Sequence, residues 1–209
     1  MRLDFDWSDD GRYHQYCAHC HAETVSRVLD PDGRTHYRCA TCGRRHERSI
    51  VLDPAVRWWL DADGEYWHES AGVFVFDAAG RLLLFERTLY PFALTVPAGH
   101  VDAGEEPAAA AARELREEVG LTVAALTPLG RDDIPGDRCR RGSDAHRWHS
   151  YTVHLDRPAP PVQVTDEGHR PQWRTIRDAL TRDLTHPVRH LLTHYRPALP
   201  DPGRPLPPG

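Results

Sequence analysis

The sequence contains no lysine, and all 26 basic residues among its 209 are arginine. Together with abundant alanine, proline and aspartate, this composition is typical of a GC-rich genome, so the arginine count is not evidence for 26 phosphate-binding side chains. No hydrophobic run approaches the roughly 20 residues that cross a bilayer, and no export signal is recognisable at the N-terminus. With a formal charge of −5, these absences predict a cytoplasmic protein without a membrane partner.

Cysteine is also scarce, and four of the five cysteines form two CxxC pairs, Cys17 with Cys20 and Cys39 with Cys42, separated by eighteen residues. Two such pairs can complete a tetrahedral zinc site with four thiolates. The spacing therefore predicts a structural zinc ribbon, and disulfides or redox-active thiols are the alternative. The fifth cysteine, Cys139, is expected to be an ordinary residue. Four nearby histidines are substitute ligands: His19, His21, His36 and His46.

The most informative segment has four acids and an arginine at fixed intervals between two glycines. Proline in the first turn and a closing glycine predict a helix that opens at residues 105–107 and closes at Gly120. At about 100° per residue, Glu114, Glu117 and Glu118 share one side of this helix. Crowded carboxylates repel one another but suit a hard cation such as Mg²⁺ or Mn²⁺. The alternative is a solvated helix with a charged surface.

This segment resembles the box motif of the Nudix hydrolase family at every defined position: Gly99, Glu105, Arg113, Glu114, Glu117, Glu118 and Gly120. The resemblance implies an α/β fold in which a mixed β-sheet lies between helices. It also implies that the three helical glutamates and the Gly99 carbonyl hold catalytic Mg²⁺ or Mn²⁺, and that Glu105, Arg113 and Gly120 are structural. In this family an activated water attacks one phosphorus of a metal-neutralised diphosphate.

The chain is expected to contain two folded units. The two units are a zinc ribbon over residues 1–53 and a Nudix hydrolase domain over 66–196. A linker over 54–65 joins them, and a proline-rich disordered tail follows over 197–209.

Apolar patterns predict the local elements of the larger unit. These are a β-hairpin formed by residues 72–76 and 81–85, strands over 94–97 and 148–155, and closing helices over 176–195. The closing helices are expected to be interrupted near Pro187. The core face of the box helix is predicted to be Ala108, Ala111, Ala112, Leu115 and Val119.

Specificity residues are expected outside the box, which contacts only the diphosphate and the metal. Arg87, Tyr90 and Phe92 precede the box, where they could hold a phosphate and stack a base. His146, Trp148 and His149 form a second cluster, in which His149 could titrate near neutrality and contact substrate. The alternative for each is an ordinary place at a strand end, in the core or on a half-buried strand.

The general base is also expected to lie outside the box. In ADP-ribose-cleaving members of the family, an acid in a downstream loop serves as base or extra metal ligand. That resemblance singles out Glu167, which precedes Gly168 in an expected loop. A turn acid before glycine is common for local reasons, and Glu114 is the alternative base.

A zinc ribbon ahead of a Nudix domain resembles the NADH pyrophosphatase branch, although residues 122–131 lack the motif that follows the box in that branch. The resemblance implies a pyrophosphohydrolase that cleaves ADP-ribose, NAD(H) or a nucleotide sugar to a nucleoside monophosphate and a phosphorylated product. Three alternatives are open: a nucleoside triphosphate pyrophosphohydrolase, a hydrolase of RNA 5′ ends such as NAD caps, and a non-catalytic nucleotide-binding module.

The expected partner is a small nucleotide-derived substrate. Nucleic acid is not favoured, because residues 1–53 mix arginine with many acids and the whole chain is acidic. A homodimer is open, with the ribbon packing on the larger unit or on a second copy through Trp58 and Trp59.

Overall fold

The computed structural model describes residues 1–165 and 167–200. The N-terminal part contains two small antiparallel sheets: β1 (His14–Cys17) pairs with β5 (Ser49–Leu52), while β2 (Val25–Leu29), β3 (Thr35–Cys39) and β4 (Arg45–His46) form a three-stranded sheet. Cys17 and Cys39 each end a strand, so both CxxC turns begin at a fixed backbone position.

The larger part is built on an eight-stranded sheet. Its strands are β6 (Trp58–Leu60), β7 (Tyr66–Phe76), β8 (Leu82–Arg87), β9 (Leu94–Thr95), β10 (Ala98–His100), β11 (Thr127–Pro135), β12 (Ala145–His154) and β13 (Gly168–Arg174). The main path runs β11-β12-β7-β8-β13, while β6 and β10 pair with β7 and β9 pairs with β8. The β7–β12 pair is parallel and the others are antiparallel, which confirms the expected mixed sheet.

The predicted hairpin and strands are present in this sheet. The hairpin joins β7 to β8 with Phe76 opposite Leu82. The expected linker at residues 54–65 contains β6, which pairs with β7, so the middle of that segment belongs to the sheet. Four strands of this sheet, β6, β10, β11 and β13, have no counterpart among the predicted strands.

Helices cover both faces of the sheet, as the α/β class predicts. The box helix α1 (Pro107–Val119) packs with β7, β8 and neighbouring segments in one apolar cluster. On the opposite face, α2 (Ile176–Ala179) and α3 (His186–His194) contribute to a second cluster. None of the helices in the described residues is long and apolar enough to span a membrane.

The core face of α1 differs from the prediction. Ala108 and Ala112 are exposed, whereas Ala110 is buried beside Ala111. The buried face of α1 is rotated from the predicted one because Glu118 faces inward, where its carboxylate accepts a hydrogen bond from the backbone of the sheet. The Glu118 carboxylate therefore lies within the buried face of α1, whereas the sequence predicts it beside that face.

The C-terminal segment differs from the prediction in two ways. Pro187 does not interrupt a helix but lies in the first turn of α3, where its missing N–H has no helical partner to lose, and the break falls earlier, between α2 and α3. The start of the expected disordered tail is ordered, since Arg196–Ala198 form a 3-10 turn and Leu199 is buried. Residues 201–209 of that tail lie outside the described residues.

The small sheets contact the larger part through backbone pairing. Ser49 N–H donates to the carbonyl of Arg140 (3.1 Å), and Val51 N–H donates to that of Arg141 (3.0 Å). An apolar cluster that includes Tyr66 and the half-buried Trp58 completes the junction. The loop between β11 and β12 is therefore held against β5.

Asp77 stabilises the turn of the hairpin. Its carboxylate is fully buried and accepts hydrogen bonds from the backbone of Ala79, Arg81 and Ala159, besides an ion pair with the Arg81 side chain at 2.7 Å. Although burial acts in the opposite direction, the hydrogen bonds from Arg81 lower the pKa of Asp77. A carboxylate with a lowered pKa contributes stability above its unfolded pKa and loses it as the pH falls through the folded pKa.

We therefore expect Asp77→Asn to lower the free energy of unfolding by about 2–4 kcal/mol at neutral pH, because an amide cannot accept all of these bonds or pair with Arg81. The difference from the wild type should shrink as the pH falls below the ordinary aspartate range. Urea unfolding at a series of pH values measures this effect. Asp156→Asn is the matched control, since the Asp156 side chain is 96% exposed. Equal stability of Asp77→Asn and wild type at neutral pH would contradict the prediction.

Candidate active site

The box forms a strand, loop and helix whose ends are fixed by local chemistry. Pro107 lies in the first turn of α1, and Gly120 closes the helix with a φ of 71° and an N–H bond to the Arg116 carbonyl. Gly99 lies on β10, where an added Cβ would be 2.0 Å from Oε1 of Glu114. Only glycine allows the carboxylate of α1 to approach the strand this closely.

Two box glutamates are drawn into the protein. Glu118 is only 5% exposed, and its Oε2 accepts a hydrogen bond from Ala98 N–H at 2.8 Å. Burial raises the pKa of Glu118 to about 8 and also raises the pKa of Glu114. Glu117, by contrast, lies at the exposed rim. Partly desolvated carboxylates side by side are unfavourable unless a positive charge joins them.

The donor set fits a hard divalent cation. Carboxylate oxygens of Glu114, Glu117 and Glu118 line the same cleft as Gly99, and all of these donors are oxygen, which Mg²⁺ and Mn²⁺ prefer. A bound dication would favour the charged forms that burial opposes.

Arg113 connects the loop to the helix. It forms a two-pronged ion pair with Glu105 (3.0 and 3.1 Å), and it donates to Glu114 (2.6 Å) and to the His100 carbonyl (3.1 Å). Its hydrogen bonds to Glu105 raise the pKa of Arg113 and lower that of Glu105. Arg113 therefore links Glu105 in the loop to Glu114 on the helix.

The glutamates lie in a cleft of about 380 Å³. Of the residues predicted to contact substrate, Arg87 lines this cleft. The described residues that line the cleft do not include Tyr90, Phe92 or His149. Phe92 instead lines a second cleft of about 450 Å³, and His149 Nε2 is 2.6 Å from Glu69 Oε1. Tyr90 lies under the guanidinium of Arg48, 5.6 Å from ring centre to Cζ.

Glu167 also lines the cleft, just before β13. It is exposed, and its charge contributes to the raised pKa values of Glu114 and Glu118. The following Gly168 is required by packing, because an added Cβ would lie 2.4 Å from the Phe85 ring. Asp166, which precedes Glu167, lies outside the described residues.

Three arginines in the β11–β12 loop were not predicted from the sequence as site residues. Arg138, Arg140 and Arg141 line the cleft together with the box glutamates. Arg141 pairs with Asp53 at 2.7 Å, and the Arg138 side chain is 63% exposed. Three arginines within four residues were the available signal, but the arginine-rich composition concealed it.

The four CxxC cysteines form a compact group whose sulfur atoms all lie within 4.8 Å of one another. The Sγ atoms of Cys17 and Cys42 are 3.8 Å apart, and those of Cys20 and Cys39 are 3.6 Å apart. A tetrahedral zinc with bonds of about 2.3 Å separates its sulfur ligands by about 3.8 Å, whereas a disulfide needs about 2.05 Å. The group can therefore hold a metal without help from histidine.

Comparisons with known proteins agree with this geometry. The curated relatives include an RNA pyrophosphohydrolase from Acidiphilium cryptum, 33% identical over 122 residues that cover 56% of this chain and 65% of the relative. Another RNA pyrophosphohydrolase, from Rhodospirillum rubrum, is 37% identical over 67 residues, which cover 32% of this chain and 41% of the relative. An isopentenyl-diphosphate Delta-isomerase from Serratia proteamaculans is 28% identical over 132 residues, covering 58% of this chain and 69% of the relative.

Solved structures share the fold. A MutT protein from Methanosarcina mazei superposes with a TM-score of 0.54 at 16% identity, covering 63% of this chain and 94% of that one. An Ap4A hydrolase from C. elegans gives a TM-score of 0.52 at 24% identity, covering 63% and 96%. The sequence profile of the NUDIX domain matches residues 67–195, a span that contains the strand, loop and helix with the clustered glutamates. The chain therefore belongs to the NUDIX domain family.

Proposed function

We propose that the protein is a divalent-metal-dependent Nudix pyrophosphohydrolase that cleaves the diphosphate of a nucleoside diphosphate derivative. The observation that carries the proposal is the cleft itself, in which Glu114, Glu117 and Glu118 share the lining with three arginines of the β11–β12 loop. Carboxylates that gather a cation and arginines that bind phosphate are the two components that hydrolysis of a diphosphate needs.

The residues that would hold Mg²⁺ or Mn²⁺ are the three helical glutamates and the Gly99 carbonyl. When bound, the cation neutralises phosphate oxygens and lowers the pKa of a water. Arg113 holds Glu114 in place through its hydrogen bond at 2.6 Å, and it pairs with Glu105 in the loop before α1. Glu105 and Arg113 thus act on the reaction through the orientation of the carboxylates.

The loop arginines bind and orient the substrate in this proposal. Arg138 is the most exposed and is suited to follow a mobile phosphate, whereas Arg141 is held by Asp53. Arg87 lines the cleft too, and its charge acts on Glu118. We assign Glu167 as the general base, because it lines the cleft close enough to act on the charges of Glu114 and Glu118. Glu114 is the alternative base.

The proposed substrate is ADP-ribose, NAD(H) or a nucleotide sugar, and the products are a nucleoside monophosphate and a phosphorylated compound. A cleft of about 380 Å³ is within the range of small-molecule sites. A second candidate is an RNA 5′-end hydrolase, which the names of the Acidiphilium cryptum and Rhodospirillum rubrum relatives favour. The matched region spans 41% of the latter protein, so its activity is carried over only as a candidate.

The test is product analysis of the purified chain with Mg²⁺ or Mn²⁺ against ADP-ribose, NADH, nucleotide sugars, nucleoside triphosphates, and RNA with triphosphate or NAD 5′ ends. We expect a nucleoside monophosphate from one diphosphate-linked compound, with no turnover after chelation. Preferred release of pyrophosphate from triphosphates, or preferred attack on RNA, would replace the proposed substrate class. Nucleotide binding without turnover of any compound would identify a binding module.

A further inference from the structure

A second group of metal-ligand side chains is distinct from the CxxC cysteines and adjoins the box glutamates, because His100, Cys139 and His146 line the same cleft. It consists of His68, His100, Cys139 and His146, and we call it the His₃Cys cluster. Each residue offers one nitrogen or sulfur atom, and these atoms all lie within 4.8 Å of one another. His68 and His146 are buried, and the other two are half-buried.

The cluster is built on the rigid centre of the sheet. His68 on β7 and His146 on β12 are direct partners in the parallel pair, and His100 on β10 lies opposite Ser70 of β7. Cys139 comes from the β11–β12 loop, where Arg48 Nε donates to its carbonyl at 2.8 Å. Four ligands fixed by three neighbouring strands and an anchored loop form a preorganised site.

The surroundings of His68 determine which ring nitrogen faces the cluster. The hydroxyl of Tyr66 donates its only proton to the Val51 carbonyl, so its oxygen accepts from His68 Nε2–H at 2.6 Å. The lone pair is then on Nδ1, which points to Cys139 Sγ at 3.5 Å. A histidine whose far nitrogen donates to a protein oxygen is the usual arrangement of a metal ligand.

His146 follows the same logic, whereas His100 contributes a buried nitrogen without a partner. His146 Nδ1 lies 3.0 Å from the Asp137 carbonyl and 3.2 Å from its carboxylate, so Nδ1–H donates outward and Nε2 keeps a lone pair. Nε2 of His100 is buried, with no hydrogen-bond partner among the described residues. The rings of His68 and His100 are 4.6 Å apart between centroids.

Without an ion, the cluster cannot satisfy its own acceptors. A thiol carries one proton, so Cys139 can satisfy only one of the inward lone pairs of His68 and His146 at a time. Transfer of that proton to His146 gives a thiolate and an imidazolium, and it leaves His68 Nδ1 without the thiol donor and His100 Nε2 without a partner. Buried polar groups without partners destabilise the folded protein. One cation would satisfy all four groups together.

We propose that His68, His100, Cys139 and His146 bind one zinc-class divalent transition-metal ion in a closed, four-coordinate site. Three imidazoles and a thiolate are a donor set for zinc rather than for Mg²⁺ or Mn²⁺, which prefer oxygen. We assign the ion a structural role, because the protein supplies all four ligands of a tetrahedral site. It fastens the loop bearing Arg138, Arg140 and Arg141 to the strand that carries Gly99.

The first test locates metal in the wild-type chain, produced without a histidine tag in zinc-supplemented medium. We expect two zinc ions per chain by elemental analysis, and a zinc-edge anomalous scattering peak between the four side chains besides one at the CxxC cysteines. Absence of the peak at the His₃Cys cluster would overturn the proposal, whatever the ribbon binds.

The second test removes ligands and compares metal content. Cys139→Ala and His146→Ala should each contain one zinc ion fewer than the wild type, while His190→Ala, which alters an exposed histidine of α3, should retain both. In the cobalt-substituted chain, Cys139→Ala should remove one thiolate-to-metal absorption component. Full zinc content in folded Cys139→Ala and His146→Ala would refute the site. If a variant fails to fold, the scattering peak of the wild type decides.

Discussion

Glu117→Gln is expected to lower kcat/KM by about 100- to 1,000-fold and to leave the fold intact, because it removes one negative charge from the cation site at nearly constant shape. Glu117 is the best position for this test. It lies at the exposed rim of the cleft, so its neutral form leaves no buried group without a partner. Changes at Glu118 would instead disturb a buried side chain that is bonded to Ala98.

The measurement is steady-state hydrolysis of the substrate that the product analysis identifies, together with a titration of Mg²⁺ and a thermal melt. Glu106→Gln is the matched control, since it makes the same change in an exposed residue at the N-terminus of the same helix. The control should keep wild-type activity. If Glu117→Gln hydrolyses substrate as fast as the wild type at all Mg²⁺ concentrations, the assignment of the box as the cation site fails.

The predictions from sequence were most accurate where the interacting residues are close together in the chain. The box lies within 22 residues, so spacing alone indicates the helix, its closing glycine and the shared side of Glu114, Glu117 and Glu118. The hairpin followed from two apolar runs joined by a glycine turn. In each case the interacting residues are neighbours in sequence, and local periodicity determines which of them meet.

The predictions failed where tertiary packing selects the residues. The His₃Cys cluster draws on positions 68, 100, 139 and 146, which only the register of β7, β10 and β12 brings together. Strand β13 is polar and contains Pro171, so its sequence lacks a strand pattern, and its register shifts between His169 and Gln172. Tyr90 and Phe92 precede the box closely in sequence, yet neither is among the described lining residues of the cleft, and the guanidinium groups of Arg48 and Arg34 lie over their respective rings.

The zinc ribbon offers the second large expected effect. Cys20→Ser should release one zinc ion and lower the free energy of unfolding by at least about 3 kcal/mol, since zinc binding contributes directly to the folding of such small units. Cys20 is exposed, so the substitution leaves no cavity and acts through the metal. The matched control is His19→Ala in the same turn, which should retain zinc because four sulfur atoms close the site. Elemental analysis and thermal melts distinguish the two variants.

The ribbon variant should also change catalysis in a specific way. Strand β5 holds the arginine loop through the bonds from Ser49 and Val51 to the carbonyls of Arg140 and Arg141. Loss of the ribbon metal loosens β1 and its partner β5, so the arginines lose their fixed positions while the glutamates of α1 keep theirs. We therefore expect KM to rise more than kcat falls. A fall in kcat without a change in KM would show that the ribbon does not position this loop, and a Cys20→Ser chain that keeps its zinc would show that Cys20 is not a required ligand.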